Sequence, residues 1–208
     1  MSSTPDPRPD VAAYYTGRLR EHGTTPRGVD WNSAASQEVR FAQLMKVCDF
    51  SAPFVLGDYG CGYGGMAEYL TRAGVTCEFR GYDIAPAMVE AANTTYGNDP
   101  TRKFSTDPAV LADCDFVVAS GVFNVRLGTP LETWEAYVLE TVAELNKYGK
   151  RGFAFNSLTS YSDADRMRPD LYYPDPCRLF DLCKRQYSRQ VALLHDYGLY
   201  EFTILVRR

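Results

Sequence analysis

The 208-residue sequence is short of the groups that metal and nucleic-acid chemistry most often needs. It has two histidines, His22 and His195, and six cysteines at positions 48, 61, 77, 114, 177 and 183, with no C-x-x-C pair. Structural zinc needs closely spaced Cys and His ligands, so this inventory offers no zinc set. The cysteines that fall in apolar strands and helices read as small reduced core residues. Lys and Arg number 22 against 26 Asp and Glu, a net charge of −4, which gives no bulk basic field for nucleic acid. No apolar run approaches the ~20 residues of a membrane-spanning helix. The start, Met-Ser-Ser-Thr-Pro-Asp-Pro, has no apolar signal core. Residues 1–9 therefore read as a disordered leader on a cytoplasmic protein that engages no membrane. With no internal repeat and no linker, residues 10–208 read as a single domain, long enough for a full core.

What the chain does have is concentrated in Phe54-Val55-Leu56-Gly57-Asp58-Tyr59-Gly60-Cys61-Gly62-Tyr63-Gly64-Gly65. An apolar strand runs into an acid and then into closely spaced glycines. Met66, Tyr69, Leu70 and Ala73 continue as a helix that Gly74 stops. Strand, tight loop and helix together present free backbone N–H groups and let a ligand approach the main chain. Two ligand classes fit. Gly60-x-Gly62-x-x-Gly65 satisfies the dinucleotide fingerprint. Asp58 two residues before the first glycine suits a ligand carrying positive charge and would repel a pyrophosphate.

A second acid stands at the end of the next strand. Cys77 to Tyr82 reads as that strand, Asp83 closes it, and Ile84, Met88 and Val89 open another helix. A carboxylate there can accept both ribose hydroxyls of a nucleoside, or it can cap the helix that follows.

Asp58-x-Gly60-x-Gly62-x-Gly64, followed by Asp83, resembles the first motifs of the class I S-adenosylmethionine (SAM) methyltransferases. The resemblance covers the chain from about Phe54 to the C-terminus. It implies an α/β fold: a seven-stranded, mostly parallel sheet with helices on both faces and a C-terminal antiparallel hairpin, with SAM across the carboxyl ends of the first strands. The later strands agree. Arg102 to Thr106, Asp115 to Ser120 and Arg151 to Asn156 read as strands three to five. Gln190 to Leu194 and Tyr200 to Val206, joined by a short turn, read as an antiparallel pair. Between strands four and five, Thr129, Pro130 and Glu132 read as a capping box opening a helix with the apolar stripe Leu131, Trp134, Val138, Val142 and Leu145. Asp175 and Pro176 open the last helix, with Phe180, Cys183 and Tyr187 on its buried side.

The resemblance also implies site residues. For the cofactor these are Asp58, Gly60, Gly62, Asp83 and Ile84, with a backbone N–H from Cys61. Asp107 beyond strand three falls near the adenine, although it can equally cap the turn at Asp107-Pro108, and Ser120 and Gly121 at the fourth-strand exit complete the set. Helices in residues 10–50, the first capped by Asp10 and the second leading from Trp31 to about Cys48, form a cap in which Tyr15 and Trp31 wall the cofactor and Tyr14 the acceptor. The long segment 159–174 lies over the acceptor, which makes Tyr161, Tyr172 and Tyr173 acceptor contacts together with Phe123. His195, at a strand exit, is the candidate base. Ser120-Gly121-Val122-Phe123 departs from the Asn/Asp-Pro-Pro-aromatic signature of enzymes that methylate nucleobase amines. Ser120 and Asn156 are not the acidic metal ligands of catechol-type enzymes, so no metal is expected. The expected activity is methyl transfer from SAM to an O or N atom of a small molecule, with no nucleic-acid partner. Two alternatives stay open: an NAD-dependent oxidoreductase, although the chain lacks any Tyr-x-x-x-Lys pair, and a SAM-binding module without turnover.

Overall fold

The computed structural model describes residues 6–31 and 33–208; residues 1–5 of the expected leader and Asn32 lie outside the described residues. Seven strands, β1 (Val55–Tyr59), β2 (Glu78–Tyr82), β3 (Arg102–Ser105), β4 (Phe116–Ala119), β5 (Gly152–Leu158), β6 (Gln190–Leu194) and β7 (Glu201–Arg207), form one sheet in the order β3-β2-β1-β4-β5-β7-β6. The pairs among β1 to β5 are parallel; β7 runs antiparallel to both β5 and β6. This is the mostly parallel sheet with an antiparallel closing hairpin that the motifs imply. β7 lies between β5 and β6, so it is buried on both faces from Glu201 to Val206 rather than on alternate residues.

Among the described residues six helices cover the sheet: α1 (Arg8–His22), α2 (Ala34–Met45), α3 (Gly65–Arg72), α4 (Pro86–Tyr96), α5 (Leu131–Tyr148) and α6 (Pro176–Gln186). On one face Val11 of α1, Trp134, Val138 and Val142 of α5 and Cys183 of α6 pack with Val117, Phe153 and Phe155. On the other, Phe41 and Leu44 of α2, Met66 of α3 and Val89 of α4 pack with Leu56, Phe79, Val118 and Ala154. Neighbours such as Val117 and Val118 divide between the faces because strand side chains alternate.

Several ends differ from the sequence expectation. α1 starts at Arg8, inside the expected leader, with Pro7 at its N-cap; Asp10 sits in the first turn, where its charge meets the positive end of the helix dipole. α2 opens where the sequence places it, with Ser33 as its cap, the Oγ accepting the Ser36 N–H at 3.1 Å, but it ends at Met45 rather than about Cys48. The Thr129–Glu132 box does not form. Pro130 takes the N-cap of α5 and has no N–H for a box partner to accept. Asp175 does cap α6, accepting the Cys177 N–H at 2.8 Å.

The parallel strands place their carboxyl ends on one edge. From β1 the chain builds outward to β2 and β3, then returns to β4 on the other side of β1. Ligands of open α/β sheets bind at such a reversal.

Candidate active site

The loop after β1 is fixed by backbone geometry. Gly60, Gly62 and Gly64 have φ of 81°, 54° and 91°, in the left-handed region where a Cβ costs roughly 1–2 kcal/mol. At Gly60 space is closed as well: a Cβ would stand 2.3 Å from Cγ1 of Val122. The N–H groups of Gly60 and Cys61 both donate to the Tyr82 carbonyl, at 2.8 and 2.9 Å. Asp83 ties the loop down from the other side. Its Oδ2 accepts the Gly62 N–H at 2.8 Å and its Oδ1 accepts the Ala85 N–H at 2.9 Å. Asp83 thus orders the glycine loop and keeps lone pairs on both oxygens for a ligand; it does not cap α4, whose N-cap is Ala85 with no side-chain cap.

Asp58 is 3% exposed, and its Oδ1 has no hydrogen-bond partner. Burial pushes its carboxyl up to about 8, with the charge of Asp83 adding to the effect. Burial pushes Asp83 up to about 6, against the two backbone N–H bonds that favour its anion. A positively charged ligand would reverse both penalties.

These groups floor a cavity with an empty volume of about 860 Å³ at the carboxyl ends of β1, β2 and β4. Arg8, Val11 and Tyr15 of α1 and Tyr137 of α5 wall one side, joined by Tyr59 and Tyr82 from the strand ends. Trp31, Gln37 and Phe41 also line it, as do Val29, Met88 and Tyr63, which pack together beside α1, and Ile84. Burial raises the phenols of Tyr15, Tyr59 and Tyr82, and that of Tyr137 to about 12, so at neutral pH they are uncharged donors and acceptors rather than bases. At the β4 exit the Ser120 Oγ faces the cavity region with no partner, while the Gly121 N–H donates to Asn156 Oδ1 at 2.7 Å.

Of the expected cofactor residues, Tyr15, Trp31, Asp58, Gly60, Cys61, Gly62, Asp83, Ile84, Ser120 and Gly121 all line this cavity. Two details differ. The Cys61 N–H is already donated to Tyr82, so it is not free for a ligand; the thiol is buried, its pKa raised well above the ordinary value, and unreactive. Asp107 does not line the cavity: its Oδ1 accepts the Ala109 N–H at 2.9 Å and caps a short 3-10 turn.

The expected acceptor residues do not line it either. Tyr14 points away and donates its hydroxyl to Asp30 at 2.9 Å. Phe123 is fully buried, edge-on to Phe155 at 5.5 Å. Tyr172 is buried beside a second cavity, between α5 and α6. The Tyr173 hydroxyl accepts the Arg168 N–H at 3.1 Å, and Tyr161 is 66% exposed. One cause covers most of these: segment 159–174 folds back on the chain that follows β4. The Tyr172 N–H donates to Asn124 O at 2.9 Å, the Arg126 and Leu127 N–H groups donate to Asp170 O at 3.0 Å, and Val125 bridges Leu171. His195 does leave the carboxyl edge, but from the outermost strand, three places from β4 or roughly 14 Å at the usual strand spacing. It is exposed, packed 5.8 Å from the Tyr161 ring, and outside the cavity lining.

A family model described as a methyltransferase domain matches residues 57–147, from β1 through most of α5. The protein named "Putative methyltransferase Rv1506c" from Mycobacterium tuberculosis is 50% identical over 164 residues, 79% of this chain and 99% of that relative. The chain belongs to the class I SAM-dependent methyltransferases. Solved structures agree at the level of fold. Magnesium protoporphyrin IX methyltransferase from Synechocystis PCC 6803, with bound S-adenosylhomocysteine (SAH), superposes with a TM-score of 0.62 at 19% identity, over 97% of this chain and all of that one. The DhpI–SAM–HEP complex does so with 0.64 at 13% identity over the full length of both.

SAM is therefore the cofactor, and the residues present suit it. The class I fold places its nucleotide-binding edge at the β1–β4 reversal. Here that edge carries two buried carboxylates, one with an orphaned oxygen, for a ligand bearing an ammonium and a sulfonium. Sequence reasoning missed Arg8, Tyr59, Tyr82, Met88, Gln37 and Tyr137 as lining residues. Tyr59 and Tyr82 were the most accessible to it, since each adjoins one of the two acids. The dinucleotide alternative does not survive the family assignment. Among the described residues no group of three or more His, Cys, Asp and Glu is placed to hold a metal ion, and no helix is long and apolar enough to cross a membrane.

Proposed function

We propose that the enzyme moves the SAM methyl group to an O or N atom of a small molecule bound in the tyrosine-walled cavity beneath α1 and α2. The observation that carries this reading is the cavity itself. It lies at the sheet's reversal and has acids and glycines on its floor, tyrosines along its wall and a helical cap over it, the concave, mostly apolar setting with a few polar groups that small ligands use. In this reading residues 10–208 act as one methyltransferase domain, with 10–50 as its cap.

Asp58 and Asp83, with the Gly60–Gly62 loop and Ser120, hold the cofactor. SAM, when bound, supplies an electrophilic methyl on a sulfonium. Asp58 receives positive charge where its own ionisation is otherwise penalised. Asp83 offers its remaining lone pairs to hydroxyl donors while keeping the glycine loop in place. Tyr15, Tyr59, Tyr82 and Tyr137 give the acceptor flat apolar faces and neutral hydroxyls that orient it without charge. Trp31 and Phe41 exclude water from the opposite side. In this reading the cofactor engages Asp58 and Asp83, and the tyrosines stay neutral near pH 7, so rate enhancement rests on orientation and water exclusion, and the acceptor uses its own lone pair. Mass spectrometry of products formed from SAM and a metabolite panel tests the assignment. A methylated small molecule in stoichiometric yield with SAH supports it. Methylation confined to added RNA, DNA or protein would refute it.

A further inference from the structure

A buried ring of residues backs the cavity and meets it at Trp31 and Gly121. Arg40 of α2 makes a two-pronged ion pair with Glu201, at the start of β7: Nη2 to Oε1 at 2.6 Å and Nε to Oε2 at 2.8 Å. The two side chains are 9% and 2% exposed. Glu201 Oε2 also accepts from Asn156 Nδ2 at 2.8 Å, and Asn156 Oδ1 accepts the Gly121 N–H at 2.7 Å. At the other end the Arg40 guanidinium lies 4.0 Å from the centre of the Trp31 ring. The six-membered ring of Trp31 presses on Gly121, where a Cβ would stand 2.3 Å from it. Gly121 takes φ of 73°, so the contact needs glycine twice over, for backbone and for space. The connections close a loop from Trp31 through Arg40, Glu201, Asn156 and Gly121 back to Trp31. Only Trp31 and Gly121 of the five line the cavity.

Such a pair is poorly explained by stability. Burying two charges costs several kcal/mol per ion, and apolar residues of similar size often do as well. Its value lies in direction. A planar guanidinium has one face for an indole and a fork for a carboxylate, which fixes both partners.

We propose that Arg40, with Glu201 and Asn156, is a positioning group: it holds Trp31 of the cap against Gly121 of the β4 exit and so keeps the cofactor side of the cavity closed. The proposal rests on the reading that SAM occupies this cavity. It predicts that the cap is held by charge and shape at one point, although α2 also packs on the sheet through Phe41, Leu44 and Met45.

The test compares wild type, the double apolar variant Arg40→Met/Glu201→Met and the charge-keeping variant Arg40→Lys, all in the full chain. The readouts are melting temperature, calorimetric SAH affinity and acrylamide quenching of tryptophan emission without ligand. Of the two tryptophans, Trp134 is fully buried, so the quencher reports Trp31. The double variant should melt close to wild type, yet show steeper quenching and SAH binding weakened about tenfold, the scale of a displaced supporting group. Arg40→Lys should shift both readouts the same way by less. Quenching and SAH affinity that stay at wild-type values in a folded double variant would overturn the proposal. If that variant fails to fold, unchanged readouts in Arg40→Lys overturn it and shifted ones uphold it. Wild type that binds no SAH would refute the cavity reading instead, while the quenching comparison would still judge the clamp.

Discussion

The two sides of the cavity are held by different means. On the β1–β2 side the backbone does the work: three positive-φ glycines, two N–H groups shared by the Tyr82 carbonyl, and a carboxylate accepting two more. On the β4–β7 side Gly121 and Trp31 are held by side chains drawn from α2, β5 and β7. The first side is short-range in sequence and tolerates change in its neighbours but not in its own glycines. The second is assembled from residues far apart in sequence and hinges on one buried ion pair.

That contrast can be broken at several points. The largest effect should come from Glu201→Ala, which leaves Arg40 buried without its partner; a loss of ~3–5 kcal/mol in denaturant-determined stability is expected. A loss below ~1 kcal/mol, the scale of an exposed pair, would mean that water reaches the site. Next is Gly60→Ala. Left-handed strain and the clash with Val122 should weaken SAH by roughly 100-fold in calorimetric titration, about 2.7 kcal/mol, with a smaller loss of melting temperature. Asp83→Asn follows: it removes the charge but keeps one acceptor for the loop, so SAH affinity should fall about tenfold, the scale of one charged hydrogen bond. The smallest effect should be at His195. From its place on the outer strand, His195→Gln should leave kcat within about twofold across pH 6–8, where an essential histidine base would impose a titration.

The same contrast explains what could be read from the chain. Asp58, Gly60, Gly62 and Asp83 were legible because a tight turn and a strand-end acid dictate residue types at fixed short spacing. The strands themselves were legible as apolar runs, and the closing antiparallel pair from the short turn between the last two. Tyr59 and Tyr82 were harder: strand alternation directs them to the opposite face from the neighbouring acids, and only a cavity straddling the sheet edge collects both sets. Arg40 and Glu201 lie 161 residues apart and carry no local signature. Phe123 and Tyr172 misled in the other direction. Aromatic residues in a loop look available to a ligand, yet the loop's own hydrogen bonds turned these two into the core. The missed capping box at Thr129 has a local cause, since a proline at the N-cap cannot offer the N–H that the motif needs.

The central claim is that Asp58 and Asp83 are held in a state that only a cationic cofactor relieves. Their carboxyls are raised from 3.8 to about 8 and about 6, so the native protein binds more protons than the unfolded chain between these limits. Their contribution to stability is full below about pH 4 and is lost as pH rises, through about 6 for Asp83 and about 8 for Asp58. A ligand that selects the ionised carboxylates should bind more tightly over the same rise. Calorimetric titration of SAM from pH 5.5 to 7.5, in wild type and Asp58→Asn, measures this directly. Wild-type affinity should increase with pH, with protons released on binding, and the slope should be much reduced in Asp58→Asn. Affinity independent of pH, or an undiminished slope in the variant, would contradict the account.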